Sequence, residues 1–126
     1  MLSLLPGAGG KCLLAFMAPT ERTGALTRAV AAARERGYVI DETALQAELD
    51  AGRRCGYLAS REERVPGGSG LSFPLRSAGG TQVGALSLSS LVDRLTGEHR
   101  ERCVEAGLRQ AAAIERLLGY ERVDGR

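Results

Sequence analysis

The sequence predicts an α+β fold, with helices laid against a small antiparallel sheet. Three observations carry that expectation. Arg61–Ser90 contains two stretches of period-two alternation joined by a glycine turn. Leucine- and alanine-rich stretches of helical period precede it. One long amphipathic stretch closes the chain.

Residues 1–10 read as a loop, with Pro6 and three close glycines. Lys11–Met17 is apolar nearly throughout and predicts a short buried helix, and Pro19–Glu21 can open a further turn. Ala25–Arg36 is alanine-rich and helical, stopped by Gly37, a residue that accepts the left-handed conformation at a helix end. Tyr38–Ile40 is extended. Thr43 is the expected N-cap of a helix over Ala44–Arg54, with Leu45 and Leu49 on one face and Gly56 closing it. Tyr57–Arg61 runs out as a strand. RERGYVIDE and RRCGYLASRE repeat one pattern of helix end, glycine and tyrosine, which reads as shared helix-to-strand chemistry and not as a structural repeat.

The two core strands follow. Ser69–Ser77 sets Leu71, Phe73 and Leu75 on one face and Gly70, Ser72 and Pro74 on the other. Gln82–Ser90 sets Leu86 and Leu88 on one face and Val83, Ala85, Ser87 and Ser89 on the other. One face of the hairpin is thus greasy, and the other is small and hydroxyl-bearing. The last helix spans Gly97 to Leu118, with Thr96 as N-cap, Gly119 past its end, and a buried stripe of Val104, Leu108, Ala111, Ile114 and Leu118. Three strands beside so much helix make a thin sheet, one that is incomplete or is finished by a partner chain.

Composition narrows the function. The 126 residues are 44% hydrophobic and 25% charged, ordinary for a soluble globular domain. Aromatics are scarce and Trp is absent, so the core is built from Leu, Val and Ala. A net charge of +2, with arginines mixed among glutamates, excludes a dedicated nucleic-acid face. Cys12, Cys55 and Cys103 are odd in number and lack CxxC spacing, which argues against a disulfide framework or structural zinc and for a reducing, cytoplasmic setting. The apolar start lacks a basic n-region and is split by Lys11, so neither a signal peptide nor a membrane span is expected.

Motifs for bond-making chemistry do not assemble. GAGGKC at Gly7–Cys12 resembles a phosphate loop, but Leu5 stands where its first glycine belongs and Cys12 where Ser or Thr would hold magnesium. What survives is a glycine run entering a helix, whose free N–H groups can receive an anion such as a carboxylate. His99, the sole histidine, has no triad or metal set around it in sequence. Cys12 lies near a helix start, where a thiolate is favoured, but no base is placed for it. Glu62 and Glu63 end a strand; they either face solvent or fold over a pocket mouth. Ser87 and Ser89, roughly 6.5–7 Å apart on one strand face, can each donate to one end of a small anion. No cofactor or metal is implied, and a binding module is expected, not an enzyme.

With those residues in hand, the chain resembles the effector-binding domain of the IclR family of bacterial transcription regulators. GGKCLLAFMAPTER resembles the family's Gly-Lys helix and Pro-x-Glu-Arg turn. LQAELDAGRRCGYLASREERVPGG resembles its helix, Arg-x-x-Gly-Tyr and Glu-Glu segment. SGLSFPLRSAGGTQVGALSLSS resembles its two-strand core with the Ala-Leu-Ser-x-Ser signature, and LTGEHRERCVEAGLRQAAAIERLLG its C-terminal helix. Ala25–Glu42 matches poorly. The resemblance implies a GAF-like antiparallel sheet flanked by helices, with residues 1–126 forming part of that domain and lacking its opening strands. It implies a pocket for a small organic acid or aromatic metabolite, drawn from Ala8, Gly9, Gly10, Ser60, Gly70, Ser72, Ser87 and Ser89. Many family members carry a polar group such as Asp at Ser60 and a Cys at Gly70. It further implies a homo-oligomer, dimer or tetramer, and DNA binding only through a helix-turn-helix domain that this chain does not contain. The alternative is a truncated scaffold that dimerises and binds nothing.

Overall fold

A computed structural model describes residues 4–121. The chain forms α1 (Ala8–Ala15), α2 (Pro19–Glu35), α3 (Glu42–Cys55), β1 (Leu58–Arg61), β2 (Gly68–Arg76), β3 (Gln82–Leu91) and α4 (Gly97–Leu117). The α+β expectation holds: one open antiparallel sheet of order β1-β2-β3, with helices on both faces.

Local chemistry explains most boundaries. α2 begins on Pro19 at its first position, where the missing N–H costs nothing. α3 is capped by Asp41, not by Thr43: the Asp41 carboxylate accepts the Ala44 N–H at 3.1 Å. Gly37 and Gly56 both take φ 91° past their helices, but the closing bonds differ: Tyr38 N–H donates to the Ala33 carbonyl at the first end and Gly56 N–H to the Gly52 carbonyl at the second, and only the second segment enters a strand. α1 starts three residues before the expected Lys11, which corrects the loop reading of residues 8–10.

The sheet separates two cores. Leu71 pairs with Leu88 and Phe73 with Leu86, and this greasy face receives Leu95, just before α4, and Leu108 and Ala111 of α4 itself. Ser72 pairs with Ser87 and Gly70 with Ser89 on the opposite face, where α1 lies and α2 and α3 build the second core around Leu14, Val30 and Leu49.

The α4 stripe needs correction at its end. Leu118 is 40% exposed, whereas Glu115, three residues earlier, is fully buried. Gly107 also belongs to the contact: a Cβ there would lie 2.1 Å from Cζ of the buried Phe73. Gly107→Ala is therefore expected to destabilise the fold by about 2 kcal/mol through overpacking, against the ~1 kcal/mol that alanine otherwise adds to a helix. Urea denaturation decides the sign; a gain in stability would show that α4 does not sit this close to Phe73.

Candidate functional site

The hydroxyl-bearing face of the sheet and the first turn of α1 enclose a cavity of about 430 Å³. Its floor follows from strand register. Gly70 and Ser72 of β2 sit opposite Ser89 and Ser87 of β3, and Ser60 of β1 sits opposite Gly70. Side chains this small leave a hollow where larger residues would fill the space beneath α1. Adding a Cβ to Gly70 would bring it 3.1 Å from the Ser60 hydroxyl and 3.7 Å from the Ala8 methyl. A Cβ on Gly9 would lie 3.7 Å from Ser87 Oγ and 3.8 Å from Ser72 Oγ.

Seven of the eight residues singled out from the sequence line this hollow: Ala8, Gly9, Ser60, Gly70, Ser72, Ser87 and Ser89. Gly10 does not. It faces away into the chain before the helix, where a Cβ would fall 1.3 Å from the Leu4 carbonyl oxygen. Gly10 is thus needed for close packing, and the glycine run is a helix start instead of an open loop.

The polar groups of the hollow fall into two sets. At one end is the N-terminus of α1. Lys11 N–H closes the first turn onto the Gly7 carbonyl at 3.1 Å, so the amides before it have no acceptor within the helix. Gly7 supplies no side-chain cap and the first turn holds no acid, leaving the positive end of the helix unneutralised by its own sequence. At the other end are hydroxyls. Ser72 is completely buried and shares a hydrogen bond with Ser87. Ser87 and Ser89 reach the open rim, where both are exposed.

One wall decides between the two readings of the segment after β1, which folds over the hollow. Glu63, Arg64 and Val65, in the loop after β1, also line the hollow. The loop is held by Lys11, which is 1% exposed. Its ammonium donates to Glu63 Oε2 at 2.7 Å, Glu48 Oε1 at 2.9 Å and the Ala59 carbonyl at 2.6 Å. All three of its hydrogens are used, and the Glu63 carboxylate is neutralised where it meets the hollow. Glu62 takes φ 54° and accepts the Gly67 N–H at 2.9 Å, tightening the same loop. The Arg64 stem passes over Gly7, with Cδ 2.7 Å from where a Cβ would sit.

Reactive groups lie elsewhere. The Cys12 thiol is fully buried, and burial pushes its pKa up to about 12, with a hydrogen bond from Gln82 and the Arg76 charge opposing weakly. The thiolate expected at a helix start is therefore not favoured; desolvation outweighs the helix dipole. His99 stands on α4, on the other layer of the sheet, with Nε2 3.7 Å from Cys103 Sγ. No group of three or more His, Cys, Asp or Glu able to hold a metal occurs among the described residues. No described helix is long and apolar enough to cross a membrane. The hollow offers hydroxyls and amides, which suit holding a small anion.

Comparison with known proteins agrees with this architecture. No curated protein sequence matches. Among solved structures, IclR of Thermotoga maritima is 25% identical with a TM-score of 0.78, covering 93% of this chain and 47% of that one. The C-terminal domain of the E. coli transcriptional regulator KdgR is 25% identical with a TM-score of 0.76, covering 93% of this chain and 71% of that one. The C-terminal domain of a Vibrio cholerae transcriptional regulator is 31% identical with a TM-score of 0.65, over 88% of this chain and 62% of that one. The chain spans about half the length of the Thermotoga maritima regulator and of other solved relatives. The sequence profile of the family described as bacterial transcriptional regulator IclR C-terminal matches residues 1–116. Sequence profile and overall fold thus agree, and the chain belongs to the IclR C-terminal domain family.

Proposed function

We propose that this chain is the effector-sensing and oligomerisation part of an IclR-type transcriptional regulator, working in the cytoplasm without catalysis of its own. Its ligand is a small organic acid or an aromatic carboxylate. The carrying observation is the hollow of about 430 Å³ with an uncapped helix N-terminus at one end and Ser87 and Ser89 at the other. That volume lies in the usual range for small-molecule sites. The α1 amides hold the carboxylate, and the β3 hydroxyls fix the distal end. Binding favours one arrangement of the assembled regulator over another by its differential affinity for the two. DNA is reached through a helix-turn-helix domain outside this chain.

Thermal unfolding against a panel of short mono- and dicarboxylates and benzoates tests the reading. A ligand at a hundredfold its dissociation constant adds about 2.7 kcal/mol. Ser87→Ala with Ser89→Ala is expected to abolish that gain. The same double substitution costs only about 1 kcal/mol without ligand, because the Ser72 hydroxyl loses its partner. Undiminished stabilisation would remove these serines from the site. A second reading is favoured by one detail: the Ser72 and Ser87 hydroxyls already satisfy each other. A scaffold that assembles and binds nothing would show no shift with any acid in the panel.

A further inference from the structure

The fold leaves one charge of the hollow unbalanced. Glu63 and Arg64 are the charged side chains among the residues that line it. Glu63 is paired with Lys11 at 2.7 Å. Glu62, the other acid of the same loop, turns its carboxylate to the Gly67 N–H at 2.9 Å. Arg64 makes no hydrogen bond or ion pair with any described residue.

The Arg64 side chain is placed all the same. Its Cδ, Cγ and Nε lie 2.7, 3.3 and 3.8 Å from where a Cβ on Gly7 would be. Gly7 is the N-cap of α1, at φ 124°. Glycine accepts that φ and also leaves the room that the arginine stem occupies. The stem therefore crosses the start of α1, a helix with no side-chain cap and no acid in its first turn. A cation at a helix N-terminus has the wrong sign for the dipole. Two positive features converge there, and the described residues offset neither. An anion between them satisfies both.

We propose that Arg64 is the counter-ion of the ligand's carboxylate and restricts the hollow to anions. The α1 amides receive the carboxylate from one side, and the guanidinium closes on it from the loop after β1. A carboxylate offers about four acceptor positions. A guanidinium takes two of them through parallel N–H bonds, which leaves others for the amides. Such charge-assisted bonds are about twice as strong as neutral ones. Arg64 is exposed, and its stem, not its head, is what packs. The guanidinium thus turns over the hollow without breaking a contact of the fold. The far end offers the hydroxyls of Ser72, Ser87 and Ser89 in place of charge, so the charge of the ligand belongs at the α1 end. A neutral ligand of the same shape gains nothing from the arginine.

This inference rests on the carboxylate reading above, and matched probes separate the two. Thermal unfolding and calorimetry are run with benzoate against benzamide, lactate against lactamide and butanoate against butanamide, beside the acids of the panel. The wild type is expected to be stabilised by acids and not by their amides. Arg64→Gln is expected to bind the best acid about tenfold more weakly or worse. Without added acid the same variant is expected to be as stable as the wild type or slightly more so, because a cation leaves the helix start. Arg64→Lys is expected to restore part of the affinity, since a point charge lacks the planar fork. Added sodium chloride is expected to weaken the wild type's binding more than that of Arg64→Gln. Equal affinity of the wild type and Arg64→Gln for an acid would overturn the role of Arg64 and leave the carboxylate reading standing. Arg64→Gln that loses as much stability without acid as with it would overturn that role too, marking the arginine as structural. No stabilisation by any acid of the panel, or amides bound as tightly as acids, would overturn the inference together with the reading beneath it.

Discussion

Lys11→Met is expected to destabilise the domain by about 3 kcal/mol and to loosen one wall of the hollow. Methionine keeps the length and apolar stem of the side chain, so the change isolates the ammonium. That group is buried and bonded to Glu63, Glu48 and the Ala59 carbonyl. Breaking a buried ion pair from one side leaves its partner charge uncompensated, at a cost of about 3–5 kcal/mol. The low end applies here, because Glu48 is 51% and Glu63 30% exposed and both keep some water. Adding Glu63→Gln removes one orphaned carboxylate and is expected to recover part of the loss. Urea midpoints of the wild type, the two single variants and the double variant give the coupling directly. If Lys11→Met cost less than about 1 kcal/mol, the ammonium would not be the clamp that joins α1, α3 and the loop after β1. Ligand-induced stabilisation is expected to fall with it, since Glu63, Arg64 and Val65 line the hollow from that loop.

The fold was legible where local chemistry decides. The period-two alternation matches the faces of β2 and of β3 from Gly84 onward, where the register pairs like with like, but it fails at Val83, where the register shifts and Gln82 turns to α1. Glycine ends at 37, 56 and 119 were read from single residues, and each takes positive φ. What escaped was set by distant contacts. Gly9 and Gly10 argue against a helix by propensity, yet α1 runs through them, and the distant reason for glycine at position 10 is the Leu4 carbonyl with which a Cβ would collide. Asp41 and Thr43 are both good caps, and nothing local ranks them; the hydrogen bond to Ala44 does. The floor of the hollow could be read because a strand face is a local pattern. The clamp that holds its wall could not, because Lys11 and Glu63 are 52 residues apart and their pairing has no periodic signature.

The same limit hid Glu115, and the second large effect is expected there. Glu115→Ala should cost about 3 kcal/mol and release α4 from the sheet. The carboxylate is 1% exposed and accepts from the Arg76 backbone N–H at 3.0 Å, from Nε at 2.6 Å and from Nη2 at 3.4 Å. It thereby ties the last turns of α4 to the end of β2, where the β2–β3 register shifts. Arg76 is itself placed by stacking, its guanidinium 4.6 Å from the Tyr120 ring and 5.8 Å from the Phe16 ring. Alanine fits the helix but leaves a buried amide and a fixed guanidinium without this acceptor, a loss of about 3–5 kcal/mol when the remaining group stays dry. Arg76 is 21% exposed, so water recovers a part and the lower figure is expected. Glu115→Gln keeps one carbonyl oxygen for the Arg76 N–H and should cost about half as much. Amide exchange distinguishes the mechanism from a general loss of stability. Faster exchange confined to α4 and the end of β2 is expected for Glu115→Ala, while uniform acceleration through α1 and α3 would mean that the two cores unfold as one unit and that this ion pair is not what fastens α4.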